Sequence, residues 1–359
     1  MNEEILQYFN YPLDIDSRLS MALQPRAGHA RVRNPPNPSP PRSIPLTPQQ
    51  SIKIAIVGAG SVGTTTAYAL LMSELAAELV LIDIDVARAE GEVRDLNHAA
   101  HFAQARVRAA DSYADCAGAA AVIITAGVNQ KPGQTRIDLL KTNHALFEAI
   151  VPQIAEHAPD TVIVVATNPV DVLTHSAARL AGFPVERVIG TGTFLDSNRF
   201  RHELGRYYRV SPKNIHALIV GEHGDSQLPV WSLATISGMR LRDYCAQAGM
   251  EYDQDAMDAC ARRTKEAAYE IIQRKGKTNY GVASVLVKIV EAIVTDSDAI
   301  MTVSRVGEYE GVKDIALSMP CKINREGAHQ EVPLLLNESE KEALRKSALT
   351  IKEAIASLE

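Results

Sequence analysis

From Ile52 onward, short runs of apolar residues alternate with longer segments in which apolar positions recur at helical spacing. The order is "IKIAIVG", then "TTTAYALLMSE", then "ELVLIDID", then a polar amphipathic stretch around Arg88 to His98. A short run that is apolar at every position predicts a strand covered on both faces, and the 3.6-residue period between such runs predicts helices. "AAVIITAG" and "TVIVVATN", separated by the helix-like "TNHALFEAIVPQIAEHA", extend the same rhythm. Strand–helix–strand repetition predicts a parallel sheet in an α/β fold. After about Thr191 the pattern loosens into a helix near Ser197 to Leu204, the strand-like "NIHALIVG", and long helices over 256–275 and 281–296. That mixture predicts an α+β second half. The tail "NESEKEALRKSALTIKEAIASL" offers Asn337 or Ser339 as an N-cap, acids in the first turn and apolar residues at helical spacing, so it predicts a closing surface helix.

Residues 1–50 follow neither period. "NPPNPSPPRSIPLTPQQ" is dense in proline, which removes backbone donors and breaks both helix and strand. From Met21 to Gln50 there are arginines and no acids, a charge pattern like that of a transit peptide, but the prolines prevent the amphipathic helix such a signal needs. The expectation is a disordered extension, or a start codon set too far upstream. The predicted organisation is therefore 1–50 as a proline-rich extension, 51–191 as the parallel α/β domain and 192–359 as the α+β domain.

Composition narrows the function. The chain is 46% apolar and 22% charged, which is ordinary for a globular body. A net charge of −6 gives no basic footprint, so neither nucleic acid nor an anionic membrane is an expected partner. No apolar run approaches the roughly 18 residues of a membrane span. Cys116, Cys245, Cys260 and Cys321 are far apart and form no CxxC, which points away from a disulfide framework or a zinc site and toward the cytoplasm. No metal is expected.

The first chemical motif is "GAGSVG", where Gly58, Gly60 and Gly63 form GxGxxG between an apolar strand and a helical pattern. The three glycines differ in role, since Gly58 permits a tight turn, Gly60 lets backbone approach a pyrophosphate, and Gly63 lets helix and strand pack closely. Val62 lies in the same loop. Twenty residues after Gly63 the second strand ends at Asp83, whose carboxylate suits the adenosine ribose hydroxyls and repels a 2′-phosphate. This context predicts a Rossmann doubly wound sheet binding NAD rather than NADP.

A nicotinamide enzyme also needs a proton carrier and a cation for any substrate carboxylate. "GVNQKPGQTR", "ATNPVD", "FLDSNRFR" and "GEHGDSQLPVW" supply histidine, arginine and aspartate. With the glycine fingerprint, in this order and at these separations, the chain resembles the L-lactate/malate dehydrogenase family, bacterial type, from about Ile52 to the C-terminus. The resemblance implies that His223 is the general acid/base, that Asp196 fixes its tautomer and stabilises the imidazolium, and that Arg199 grips the substrate carboxylate with a planar fork. It implies too that Arg136 polarises the reacting carbonyl from a closing lid, that Asn168 sits beside nicotinamide and substrate, and that Thr278 lines the substrate pocket. Trp231 is expected to pack in the core, and His98 and His101 to be structural or superficial.

Within the family, the lid residue six before the lid arginine separates malate from lactate enzymes, and here it is neutral Gln130. A second substrate carboxylate would remain unpaired in a dehydrated site, at a cost of several kcal/mol. The expected reaction is therefore reversible reduction of pyruvate to L-lactate by NADH; malate and branched-chain 2-hydroxy acid dehydrogenation, or a catalytically silent relative, are the alternatives. The resemblance also implies a homotetramer, and matches Arg201 and His216 to an allosteric anion site for fructose 1,6-bisphosphate.

Overall fold

In the computed structural model, which describes residues 52–103, 105–128 and 136–358, the apolar runs become strands with both faces covered. β1 (Lys53–Val57) sends Ile54 and Ile56 into one core and Ala55 and Val57 into the other. After it come α1 (Ser61–Ser73), β2 (Glu78–Ile82), α2 (Val86–Ala99), β3 (Arg106–Ala110), β4 (Ala121–Ile124), α3 (Arg136–His157), β5 (Val162–Val165), α4 (Val170–Ala181) and β6 (Val188–Gly190). These six strands pair in parallel in the order β3, β2, β1, β4, β5, β6. The order turns at β1, whose neighbours are β2 and β4, so a crevice opens beyond the carboxyl ends of β1 and β4, the usual ligand position in such sheets.

The second half contains α5 (Phe194–Tyr208), the short strands β7 (Ile215–His216), β8 (Ile219–Val220), β9 (Leu228–Pro229), β10 (Thr235–Ile236) and β11 (Met239–Arg240), then α6 (Leu241–Gln247), α7 (Gln254–Lys275) and α8 (Tyr280–Thr295). The chain ends with β12 (Ala299–Tyr309), β13 (Val312–Asn324), β14 (Gly327–Glu331) and α9 (Glu338–Ala356). Here the sheet is wider than the sequence pattern predicts. β12 joins β6 antiparallel at Ser304 and Gly190, and β13 and β14 add to it, giving nine strands across both halves. "NIHALIVG" likewise divides into two strands of different sheets. The break has a local cause: the carbonyls of Ala217 and Leu218, in mid-run, are taken by Arg201 Nε and the Val230 N–H.

One core packs α3, α4 and α9 against the sheet through Phe147, Ile154, Leu173 and Ile351; the other packs α1, α2 and α8 through Leu70, Leu96 and Ile289. A smaller core under α5, α6 and α7 includes Phe200, against which Trp231 packs edge-on at 4.8 Å. Asn337 is the N-cap of α9, with a full capping box to Glu340.

Candidate active site

The glycine loop takes its shape from three positions with different demands. Gly58 has φ +112°, and a Cβ there would lie 2.6 Å from the Ala126 nitrogen, so both conformation and space require glycine. At Gly63, on the first turn of α1, a Cβ would overlap the Gly58 carbonyl oxygen. Gly60 differs: it is the N-cap of α1 in extended backbone, and a Cβ would meet nothing within 4 Å. The space beside Gly60 is open at a helix N-terminus, where backbone N–H groups and the helix dipole favour an anion. Val62 lies half-buried on the same turn against the α1-side core. Asp83, just past β2, accepts the Ala59 N–H at 2.5 Å and the Asp85 N–H at 2.9 Å. Its carboxylate therefore braces the glycine loop at the place where a ribose would lie, and the loop, the helix terminus and the acid fit a dinucleotide.

Three consecutive backbone N–H groups fix the loop that carries His223, each held by a different element. Gly221 N–H donates to the Ser318 carbonyl of β13 at 2.9 Å, Glu222 N–H to Ser347 Oγ of α9 at 2.8 Å, and His223 N–H to Asp171 Oδ2 of α4 at 2.7 Å. Gly221 needs its φ of +88° at this turn, and a Cβ there would press on Ser347 Oγ at 2.8 Å. The Glu222 carboxylate folds back onto Ser226, accepting its N–H at 3.0 Å and its hydroxyl.

With the loop fixed, His223 Nδ1 lies 2.5 Å from Asp196 Oδ2. Asp196 and Arg199 are one turn apart on α5, and Arg199 Nη1 donates to the other oxygen, Oδ1, at 2.9 Å. Asp196 is only 2% exposed. Burial works to raise its carboxyl, but the His223 charge, the His223 hydrogen bond and Arg199 outweigh burial and hold it below the usual range. Burial likewise disfavours the His223 imidazolium, yet Asp196 and, to a lesser degree, Asp171 prevail and raise its pKa above the ordinary histidine value. Both carboxylates favour the protonated imidazole.

Asn168, Asp171, Asp196, Arg199 and His223 line one cavity of about 610 Å³, closed on other sides by Lys265 and Ile272 of α7 and Ile351 and Glu353 of α9. Asn168 precedes Pro169 through a cis peptide. Its carbonyl accepts from Asn143 Nδ2 at 2.9 Å, while Asn143 Oδ1 accepts the Val128 N–H at 2.9 Å, which ties Asn168 to the segment ending at Val128.

Gln130 and the Arg136 side chain fall outside the described residues, although the Arg136 backbone opens α3. Thr278 is half-buried on the link between α7 and α8 and is not among the described residues lining the cavity. Its neighbours latch that link to the cofactor helix: Lys277 Nζ donates to Ser61 Oγ at 3.0 Å and Asn279 Nδ2 to Thr65 Oγ1 at 2.8 Å. Arg201, half-buried on α5, binds the Ala217 carbonyl at 2.9 Å beside exposed His216. His98 and His101 are exposed. Asp171, Ser318 and Ser347 are site residues that the sequence pattern did not single out; Asp171 stands inside the quoted "TNPVD", and that was its only signal. Among the described residues no group of histidine, cysteine, aspartate or glutamate side chains could hold a metal ion, and the four cysteines are free and buried.

Two family models match the chain in succession. Residues 52–190 match the model of the lactate/malate dehydrogenase NAD binding domain, and residues 193–359 that of the lactate/malate dehydrogenase alpha/beta C-terminal domain. A probable L-lactate dehydrogenase of Schizosaccharomyces pombe is 50% identical over 310 residues, covering 86% of this chain and 94% of that one. An L-lactate dehydrogenase of Moorella thermoacetica is 45% identical over 312 residues, covering 86% and 98%. Among solved structures, the minor L-lactate dehydrogenase of Enterococcus mundtii, in a ligand-bound form, superposes with a TM-score of 0.83 at 38% identity, covering 86% of this chain and 99% of that one.

Proposed function

The chain belongs to the lactate/malate dehydrogenase family, and from that premise we propose that it is an L-lactate dehydrogenase in which His223 moves the proton, Asp196 holds His223, and Arg199 and Arg136 bind and polarise the substrate. The observation that carries this reading is the His223–Asp196 pair at 2.5 Å with Arg199 in the same cavity. NAD is the cofactor of the family, and the open space at Gly60, the α1 N-terminus and Asp83 fit it. When bound, NAD gives or takes the hydride; the chain's own residues do the rest.

In pyruvate reduction the imidazolium of His223, bonded to Asp196 through Nδ1, gives the proton on Nε2 to the C2 oxygen and becomes neutral. In lactate oxidation Nε2 takes that proton back. The raised pKa favours the protonated His223 that the reductive direction needs. The Arg199 fork, with one nitrogen on Asp196, has further donors for the substrate carboxylate and is thereby fixed relative to the histidine. Arg136 would close over the carbonyl, Asn168 would hold the oxygen and the nicotinamide, and Thr278 would bound the substrate's side chain. The division near residues 191 and 192 would separate the cofactor half from the substrate half.

Neutral Gln130 favours pyruvate over oxaloacetate. An NADH oxidation assay with pyruvate, oxaloacetate and 2-oxoisocaproate in parallel should show pyruvate preferred by at least about tenfold in kcat/KM. Preference for either competitor would reassign the substrate. We assign Arg201 and His216 to an anion site taking fructose 1,6-bisphosphate in a homotetramer; in the same assay the bisphosphate should lower the half-saturating pyruvate concentration, and an unchanged value would remove the assignment. The cytoplasm is the proposed compartment, supported by four free thiols. Among the described residues no helix is long and apolar enough to cross a membrane.

A further inference from the structure

Asp171 stands in the first turn of α4, 2% exposed, and through it the parallel half of the molecule grips the His223 backbone. Oδ2 accepts the His223 N–H at 2.7 Å, and Oδ1 accepts the Ser318 hydroxyl of β13 at 3.3 Å. Ser318 is in turn fixed by the Thr193 N–H at 3.2 Å, and its backbone exchanges both hydrogen bonds with Gly221. The carboxylate also borders the cavity that holds His223, Asp196 and Arg199. A neutral acceptor could anchor a backbone N–H equally well, whereas a buried carboxylate carries a desolvation cost that anchoring alone does not require. Its charge faces the histidine.

Resting on the reading of His223 as the proton carrier, we infer that Asp171 is a positioning residue that clamps the His223 backbone and places a second negative charge beside the imidazolium, so that His223 keeps its proton to higher pH than Asp196 alone would secure. The surrounding groups agree in sign. From α5, Asp196 raises the histidine and Arg199 lowers it. From the histidine loop itself, Glu222 acts on Asp171, pushing its carboxyl upward. β12 and β13 present Ser304, Tyr309 and Ser318, all neutral near pH 7; Lys265 of α7 is turned to the Asp225 carbonyl, and Glu353 of α9 lies on the cavity wall. Burial pushes the Asp171 carboxyl up to about 6, still low enough to be ionised where His223 changes charge.

The test is the pH profile of kcat/KM for pyruvate in the full-length protein with NADH. Asp171→Asn keeps an acceptor for the His223 N–H and removes the charge. It should move the alkaline limb to lower pH by on the order of half a unit to one unit, with NADH affinity unchanged within about twofold. An anchor without electrostatic action would scale the whole profile and leave the limb in place, and that result overturns the inference. His223→Asn, measured in parallel, separates the two levels. If it retains substantial turnover, the proton-carrier reading falls and the inference with it; if it is inactive while Asp171→Asn leaves the limb unmoved, only the inference falls. Should Asp171→Asn fail to fold, Ser318→Ala makes the same test. Loss of that hydroxyl raises the Asp171 carboxyl further and weakens its charge near neutrality, so the limb should shift in the same direction by less, and a stationary limb overturns the inference.

Discussion

At the scale of single residues, the site turns on how Asp196 divides its two oxygens. One lies on His223 Nδ1 and the other on Arg199, so a single buried carboxylate aligns both the proposed proton carrier and the proposed carboxylate-binding fork. Asp196→Asn should therefore damage two functions together. The amide cannot stabilise the imidazolium, and it presents only one acceptor oxygen to two donors. Pyruvate turnover at pH 7 should fall by on the order of 10²–10⁴, the alkaline limb should move to lower pH, and pyruvate half-saturation should rise; stopped-flow and steady-state assays would read all three, and unchanged half-saturation would separate Arg199 from Asp196. His223, Asp196 and Arg199 were legible because each falls inside a motif with a chemical rationale. Asp171 and Ser347 were not, because their contacts exist only across the fold: Asp171 reaches His223 over 52 positions, and Ser347 reaches Glu222 over 125. No local spacing encodes a partner that distant.

At the scale of elements, legibility followed periodicity. α7, α8 and α9 carry apolar residues at helical spacing and, like α1, appear close to the predicted ranges, whereas β12 to β14 were not placed at all. β13 explains why: Ile315 through Cys321 are buried at every position, yet Ser318 and Pro320 break the apolar run, so the sequence shows neither a continuous apolar stretch nor an alternation, and its partners come from adjacent hairpins rather than from a helix-spaced crossover. The three fingerprint glycines meet different surroundings, a positive φ at Gly58, open space at Gly60 and the Gly58 carbonyl at Gly63, and those surroundings predict different failures. Gly60→Ala should fold with an unchanged melting temperature, because a methyl group there meets nothing within 4 Å, yet it should weaken NADH binding by occupying the space an anion needs. Gly63→Ala should instead destabilise the protein by several kcal/mol, because its methyl would strike the Gly58 carbonyl and part α1 from β1. Thermal unfolding beside NADH fluorescence titration checks both. A normal melting temperature for Gly63→Ala would mean that the loop can relax.

At the scale of the whole molecule, the nine-stranded sheet joins the two halves at β6 and β12, and the Asp171–His223–Ser318 hydrogen bonds join them again directly behind the site. That second joint carries a buried charge, so its stability depends on pH. Asp171 has its folded-state pKa raised from 3.8 to about 6. The folded protein therefore binds a proton that the unfolded chain releases across that window, and the contribution is present below about pH 4 and lost as pH rises through about 6. The full shift corresponds to a penalty on the order of 3 kcal/mol for holding the charge at neutral pH. Asp171→Asn removes the penalty while groups common to both proteins, including the oppositely shifted Asp196, largely cancel in the difference. The variant should come close to the parent in urea unfolding at about pH 3.5 and exceed it in stability at pH 7 to 8, by up to about 3 kcal/mol less the cost of a weaker acceptor. A more stable protein with an acid-shifted rate profile would show that the fold tolerates a costly charge for the sake of the histidine. A variant equally destabilised at every pH would make Asp171 a plain structural joint.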